Sequence, residues 1–88
     1  MRIVRGFCIR EILDEVIAVP SGDAALRLSG IVSLSPVARF LFEQLENEHT
    51  VQSLAAALMD EYEVDQATAE ADIQEFLEYL RSFNLLEE

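Results

Sequence analysis

The chain offers few side chains that could carry catalysis: one histidine, His49, and one cysteine, Cys8, in 88 residues. A Cys/His pair is the smallest nucleophilic arrangement these could make, and it needs an orienting third group that nothing in the sequence supplies. His49 falls in a predicted loop ahead of a helix, where an unpartnered imidazole is expected to cap or to face solvent. Cys8 lies between Phe7 and Ile9, and this apolar setting predicts a buried free thiol. Zinc needs about four ligands, which one Cys and one His cannot provide. The acidic run Asp60-Glu61-Tyr62-Glu63-Val64-Asp65 invites calcium, but it lacks the glycine and the alternating oxygen ligands of an EF-hand loop. The other carboxylates recur at i, i+3 and i+4 on predicted helix exteriors, the pattern of a solvated face rather than an acid/base pair. With only three glycines there is no phosphate-cradling motif. The inventory predicts no catalytic, cofactor-binding or metal-binding residue, so function is expected to lie in binding.

The elements that would position a binding surface fall into two groups. Phe7–Ile12 and Glu15–Pro20 read as two strands joined tightly at Leu13-Asp14, the second rich in β-branched residues and closed by proline. Ser21-Gly22-Asp23 is a turn cluster, and Ala24–Ser29 reads as a loop or a continuation of the hairpin. Gly30-Ile31-Val32-Ser33-Leu34 is a third short strand, which completes an antiparallel meander. At Ser35-Pro36 the periodicity changes from 2 to 3.6. Ser35 suits an N-cap and Pro36 the first helical position. Val37, Phe40, Leu41 and Leu45 then share one apolar face, ending near Glu46-Asn47. A second helix begins after Thr50, buries Val51, Leu54, Ala55 and Leu58, and ends near Tyr62. Asp65 is placed to cap a third helix that runs to about Phe83, with Asn84 in the left-handed conformation beyond it. Leu85-Leu86 follows as an apolar tail that folds back. The order β-β-β-α-α-α predicts one α+β domain over residues 1–88, winged helix-turn-helix-like, with a three-stranded antiparallel sheet followed by three helices.

Two features of these elements point to a ligand. Ala69, Ile73, Leu77 and Leu80 form the core stripe of the third helix, while Phe76, Tyr79 and Phe83 form a second stripe headed by Asp72. Together they make an apolar face wider than one helix in so small a domain needs. The three aromatics either cover the sheet or form the wall of a groove beside the third strand. That strand, Ile31 to Leu34, is short, uncharged and free of internal proline or lysine. An unblocked edge of this kind can accept an added strand from a partner, with main-chain hydrogen bonds giving affinity.

Charge narrows the partner. The chain carries a formal −11, yet residues 1–34 sum to zero and the remainder holds two arginines against thirteen carboxylates. Such a surface repels phosphate backbones and anionic membranes. A winged-helix order raises the expectation of DNA binding, but the third helix carries Glu70, Asp72, Glu75 and Glu78 against Arg81, so no nucleic acid is expected. No apolar run approaches the ~18–20 residues that span a bilayer, and the N-terminal arginines are not followed by a signal-like apolar segment. The expected location is the cytoplasm, which a single cysteine fits. Beside peptide binding, a nucleic-acid-binding regulator and a general protein-protein docking module remain as alternatives. The open edge also admits a homodimer.

The succession Glu11-Ile12, Ile17-Ala18-Val19-Pro20, Gly30-Ile31-Val32-Ser33-Leu34-Ser35, Thr50-Val51-Gln52-Ser53-Leu54-Ala55, Tyr62-Glu63-Val64-Asp65, Ala71-Asp72-Ile73 and Phe83-Asn84-Leu85-Leu86 resembles the PqqD family over nearly the whole chain. The resemblance implies the peptide-recognition domain of pathways that modify ribosomally made peptides. It implies that the leader segment of a precursor peptide lies as an extra strand against the third strand and beside the third helix. The partner would then be a maturation enzyme, often a radical S-adenosylmethionine enzyme. Carried over by position, Ile31, Val32, Ser33 and Leu34 would form the pairing edge, and Asp72, Phe76, Tyr79 and Phe83 the helix side. Leu34-Ser35 stands where the family often has Leu-Asn, and Asn84 where it often has glycine. Both replacements keep the local physics of a cap and of a left-handed residue. The resemblance does not choose between quinone-cofactor synthesis and another peptide pathway.

Overall fold

Alternation of apolar and polar residues organises the N-terminal half. In the computed structural model, which describes every residue except Ser29, β2 (Phe7–Ile12) and β3 (Glu15–Pro20) pair antiparallel from Phe7↔Pro20 to Ile12↔Glu15. They follow a two-residue strand, β1 (Arg2–Ile3). The third strand, β4 (Val32–Leu34), pairs with β3 through Val16↔Leu34, Ile17↔Ser33 and Ala18↔Val32, giving the sheet order β2-β3-β4. Pairing begins only at Val32, so the expected strand from Gly30 is shorter by two residues and Ile31 stands before it, 57% exposed. Phe7 and Ile9 pack toward the core, so the two-residue period of β2 turns Cys8 outward. The expected buried thiol is therefore an exposed one.

The stretch expected as loop or hairpin holds a six-residue helix, α1 (Gly22–Arg27), with only Ser29 outside the described residues. Its local signals are weak, because the Ser21 hydroxyl does not cap it and donates instead to the Gly6 carbonyl at 2.8 Å. Long-range contacts hold it: Ala24 is fully buried, and Arg27 Nη1 donates to the Asn84 carbonyl at 2.9 Å.

Each of the three longer helices starts at the residue whose side chain can accept an orphan amide hydrogen bond. Ser35 Oγ accepts from Ala38 N at 3.1 Å at the start of α2 (Pro36–Gln44), with Pro36 in the first turn. Thr50 and Ser53 form a reciprocal capping box at the start of α3 (Val51–Glu61). Asp65 Oδ1 accepts from Thr68 N at 2.7 Å at the start of α4 (Gln66–Ser82), which ends as expected with Asn84 at φ 58°. Leu54 and Leu58 of α3 and Ile73, Leu77 and Leu80 of α4 are fully buried against Leu41, Phe42 and Leu45. Phe42, opposite the stripe expected for its helix, meets Phe7 edge-to-face at 5.1 Å and so joins helices to sheet.

The termini close the molecule in a way the local pattern does not show. The apolar tail forms β5 (Leu86–Glu87), which pairs antiparallel with β1 through Arg2↔Glu87 and Ile3↔Leu86. Ile3 N donates to the Leu45 carbonyl and Val4 N to the Leu85 carbonyl, and Ile3, Val4 and Leu85 are all buried. Beneath the sheet, Arg39 of α2 pairs with Glu11 of β2 and with Glu43, clamping the far end of the hairpin to the helices.

Candidate peptide-binding site

The sheet order leaves β4 at an edge: β3 occupies one side, and among the described residues no strand pairs with the other. Val32 and Leu34 point into the core and Ser33 away from it. Immediately beyond this edge lies an open groove of about 530 Å³. Val32, Ser33, Leu34 and Ser35 form one wall. Val37, Ala38 and Leu41 of α2 form the floor, and Asp72, Glu75, Phe76 and Tyr79 of α4 form the second wall.

The α4 wall follows from helical spacing. Asp72, Phe76 and Tyr79 stand at i, i+4 and i+7, with Glu75 beside them, on the face adjoining the core stripe of Ile73, Leu77 and Leu80. Phe76 is half-buried and packs on the core, while Tyr79 keeps 42% of its surface exposed. Tyr79 in turn meets Phe83 at 5.2 Å with the rings inclined at 67°. The groove's charge is one-sided. Asp72 and Glu75 are exposed, and none of the ion pairs among the described residues includes them.

Six of the eight residues expected at a peptide site therefore line one groove: Val32, Ser33, Leu34, Asp72, Phe76 and Tyr79. Ile31 is exposed just ahead of the strand, and Phe83 lies at the end of α4, where its ring backs Tyr79 without lining the groove. The α2 floor was not anticipated as part of the site. Val37 and Leu41 read as core stripe, and which flank of that stripe borders a groove depends on how α2 packs. Elsewhere, His49 Nδ1 lies 2.8 Å from Ser53 Oγ at the start of α3, and its backbone N–H donates to the Met1 carbonyl. Among the described residues, no three His, Cys, Asp or Glu side chains are grouped to hold a metal ion, and no helix is long and apolar enough to cross a membrane.

A hairpin-edged sheet packed on three capped helices, with a groove between the edge strand and the last helix, defines a winged helix-turn-helix-like α+β domain. Residues 11–86 match the family model described as coenzyme PQQ synthesis protein D (PqqD), and the chain belongs to that family. No curated protein matches it. Among solved structures, TbiB1 in complex with the TbiA(beta) leader peptide is similar, with a TM-score of 0.73 and 28% identity over 99% of this chain and 95% of that one.

Proposed function

We propose that this chain is a non-catalytic peptide-binding protein. It captures the leader segment of a ribosomally made precursor as a strand added to the outer edge of β4, against α4. It then presents that precursor to a modifying enzyme. The observation that carries this reading is the groove itself, in which an unpaired strand edge faces an aromatic helix wall. An extended peptide satisfies the free main-chain groups of the edge and places alternate side chains against Phe76, Tyr79 and the α2 floor. Membership of the PqqD family and likeness to a protein solved with a leader peptide support the same reading. So does the placing of the two reactive side chains: Cys8 stands on the outer face of the sheet, and His49 is engaged with Ser53.

In this reading Val32, Ser33 and Leu34 pair with the peptide, Asp72, Phe76 and Tyr79 contact its side chains, and Ile31 and Phe83 extend the two ends. The modifying enzyme is of the radical S-adenosylmethionine or another maturation class, and the complex works in the cytoplasm, where precursors are made. A homodimer formed along the same edge would compete for the same hydrogen bonds. The test is fluorescence anisotropy with labelled leader segments of candidate precursor peptides, taken from short reading frames near this chain's gene. Tyr79→Ala should weaken binding by roughly tenfold, an effect of about 1–2 kcal/mol for an aromatic contact. Tyr79 is 42% exposed and outside the buried core, so the variant should lose no more stability than its edge contact with Phe83 supplies, about 0.5–1.5 kcal/mol, and stay folded under the assay conditions. Equal affinity of variant and wild type, or no binding to the wild type, would contradict the assignment.

A further inference from the structure

Every cationic side chain is an arginine, the N-terminal ammonium is held by Glu48, and none of these groups lines the groove. Arg39 is held by Glu11 and Glu43, Arg81 by Glu88, Arg2 by Glu87, and Arg27 donates to the Asn84 carbonyl. Arg5 and Arg10 lie on the N-terminal segment and the outer face of the hairpin. The groove therefore pairs an apolar floor with two carboxylates, Asp72 and Glu75, that no cation of the described residues compensates.

Spacing along the two walls makes this arrangement selective. From Asp72 to Phe76 the helix advances four residues, about 6 Å at 1.5 Å per residue. An extended peptide advances about 6.6–6.8 Å between side chains on the same face. A peptide strand laid along α4 therefore sets one side chain against Phe76 while the side chain two positions away reaches the Asp72 carboxylate. We propose that the peptide held in this groove carries a lysine or arginine two residues from an apolar or aromatic anchor. The anchor packs on Phe76 and Leu34, and the cation faces Asp72 and Glu75. This inference rests on the strand-addition reading and goes beyond it by naming the class of peptide. The carboxylates do not create the site; they choose among peptides at a groove that the edge and the aromatic wall define.

The test is selection from a display library of random 12-residue peptides on the immobilised full chain, with a parallel selection on the double variant Asp72→Asn, Glu75→Gln. Clones enriched on the wild type should share an aromatic or aliphatic residue with Lys or Arg two positions away. On the double variant the anchor should persist and the cation preference vanish. In the best clone, made as a labelled synthetic peptide, Lys→Gln should weaken binding about threefold and Lys→Glu about tenfold, as for exposed ion pairs. Both effects should shrink as salt rises from 0.05 to 0.5 M, an interval that shortens the screening length from roughly 14 to 4 Å. Enriched clones that lack the cation, or keep it on the double variant, overturn the charge assignment and leave strand addition standing. No enriched clones, or clones whose amide shifts on the chain avoid β4 and α4, overturn both.

Discussion

At the scale of single residues, a few positions fix the backbone and a few tune its response to pH. Gly6 has φ +111°, and a Cβ there would lie 2.3 Å from the Ser21 carbonyl oxygen, which belongs to the backbone and cannot swing aside. The same turn is tied by Ser21 N donating to the Gly6 carbonyl at 2.7 Å. Gly6→Ala should therefore lower stability by roughly 2–3 kcal/mol, read from denaturant midpoints, since it combines backbone strain with a broken contact. Asp65 answers to a different effect. The Thr68 backbone N–H, then its side chain, hold the Asp65 carboxyl below the usual aspartate range. A depressed folded value means that the ionised form favours folding. That contribution is complete above the ordinary carboxylate range and is lost as pH falls through the folded value. The stability difference between wild type and Asp65→Asn should accordingly be present at pH 7 and shrink between about pH 5 and pH 3. Denaturant titrations across that interval read it directly, and a difference independent of pH would contradict the role of the charge.

At the scale of elements, what was legible in the sequence divides by the range of the forces involved. The three longer helices were legible because Ser35, Thr50 and Asp65 announce their starts and the apolar stripes follow at helical spacing. The hairpin was legible from alternation, and the exposure of Cys8 follows from the same two-residue period once Phe7 and Ile9 face the core, which the apolar neighbours of the thiol masked. The short helix α1 and the pair β1–β5 were not legible. Six-residue and two-residue segments carry no local signal strong enough to outweigh chain entropy, and theirs comes from Ala24, Arg27, Ile3 and Leu85 meeting partners far along the chain. The site divides in the same way. The α4 wall follows from spacing, while the α2 floor and the sideways placing of Phe83 follow from packing. The hairpin tip is an element with a residue at odds with it. Leu13 is 96% exposed with φ 59°, and only the first central residue of this two-residue turn is left-handed, the pattern of a type II′ turn that favours glycine there. Leu13→Gly should raise stability by about 0.5–1 kcal/mol, the relief of left-handed strain less the added freedom of the unfolded chain. A thermal scan that showed the variant less stable would mean that Leu13 makes a contact the fold depends on.

At the scale of the whole molecule, the division of labour between the two halves explains both the shape and the charge. The sheet supplies an edge, the helices supply a rigid, capped wall opposite it, and the closed termini hold the two together. The acidic balance sits almost wholly on the helical half, the half that forms the floor and far wall of the groove. This charge opposes nucleic acid and favours a basic ligand, which accords with the proposed peptide. The central claim is that this peptide becomes a strand of the sheet. Nuclear magnetic resonance on the isotope-labelled chain bound to the unlabelled leader tests it most directly, through inter-strand contacts and amide exchange. Strand addition predicts backbone contacts between the peptide and Val32–Leu34, together with slower exchange of the β4 amides that face the groove. A peptide that binds while those amides stay unprotected and free of such contacts would contradict the claim.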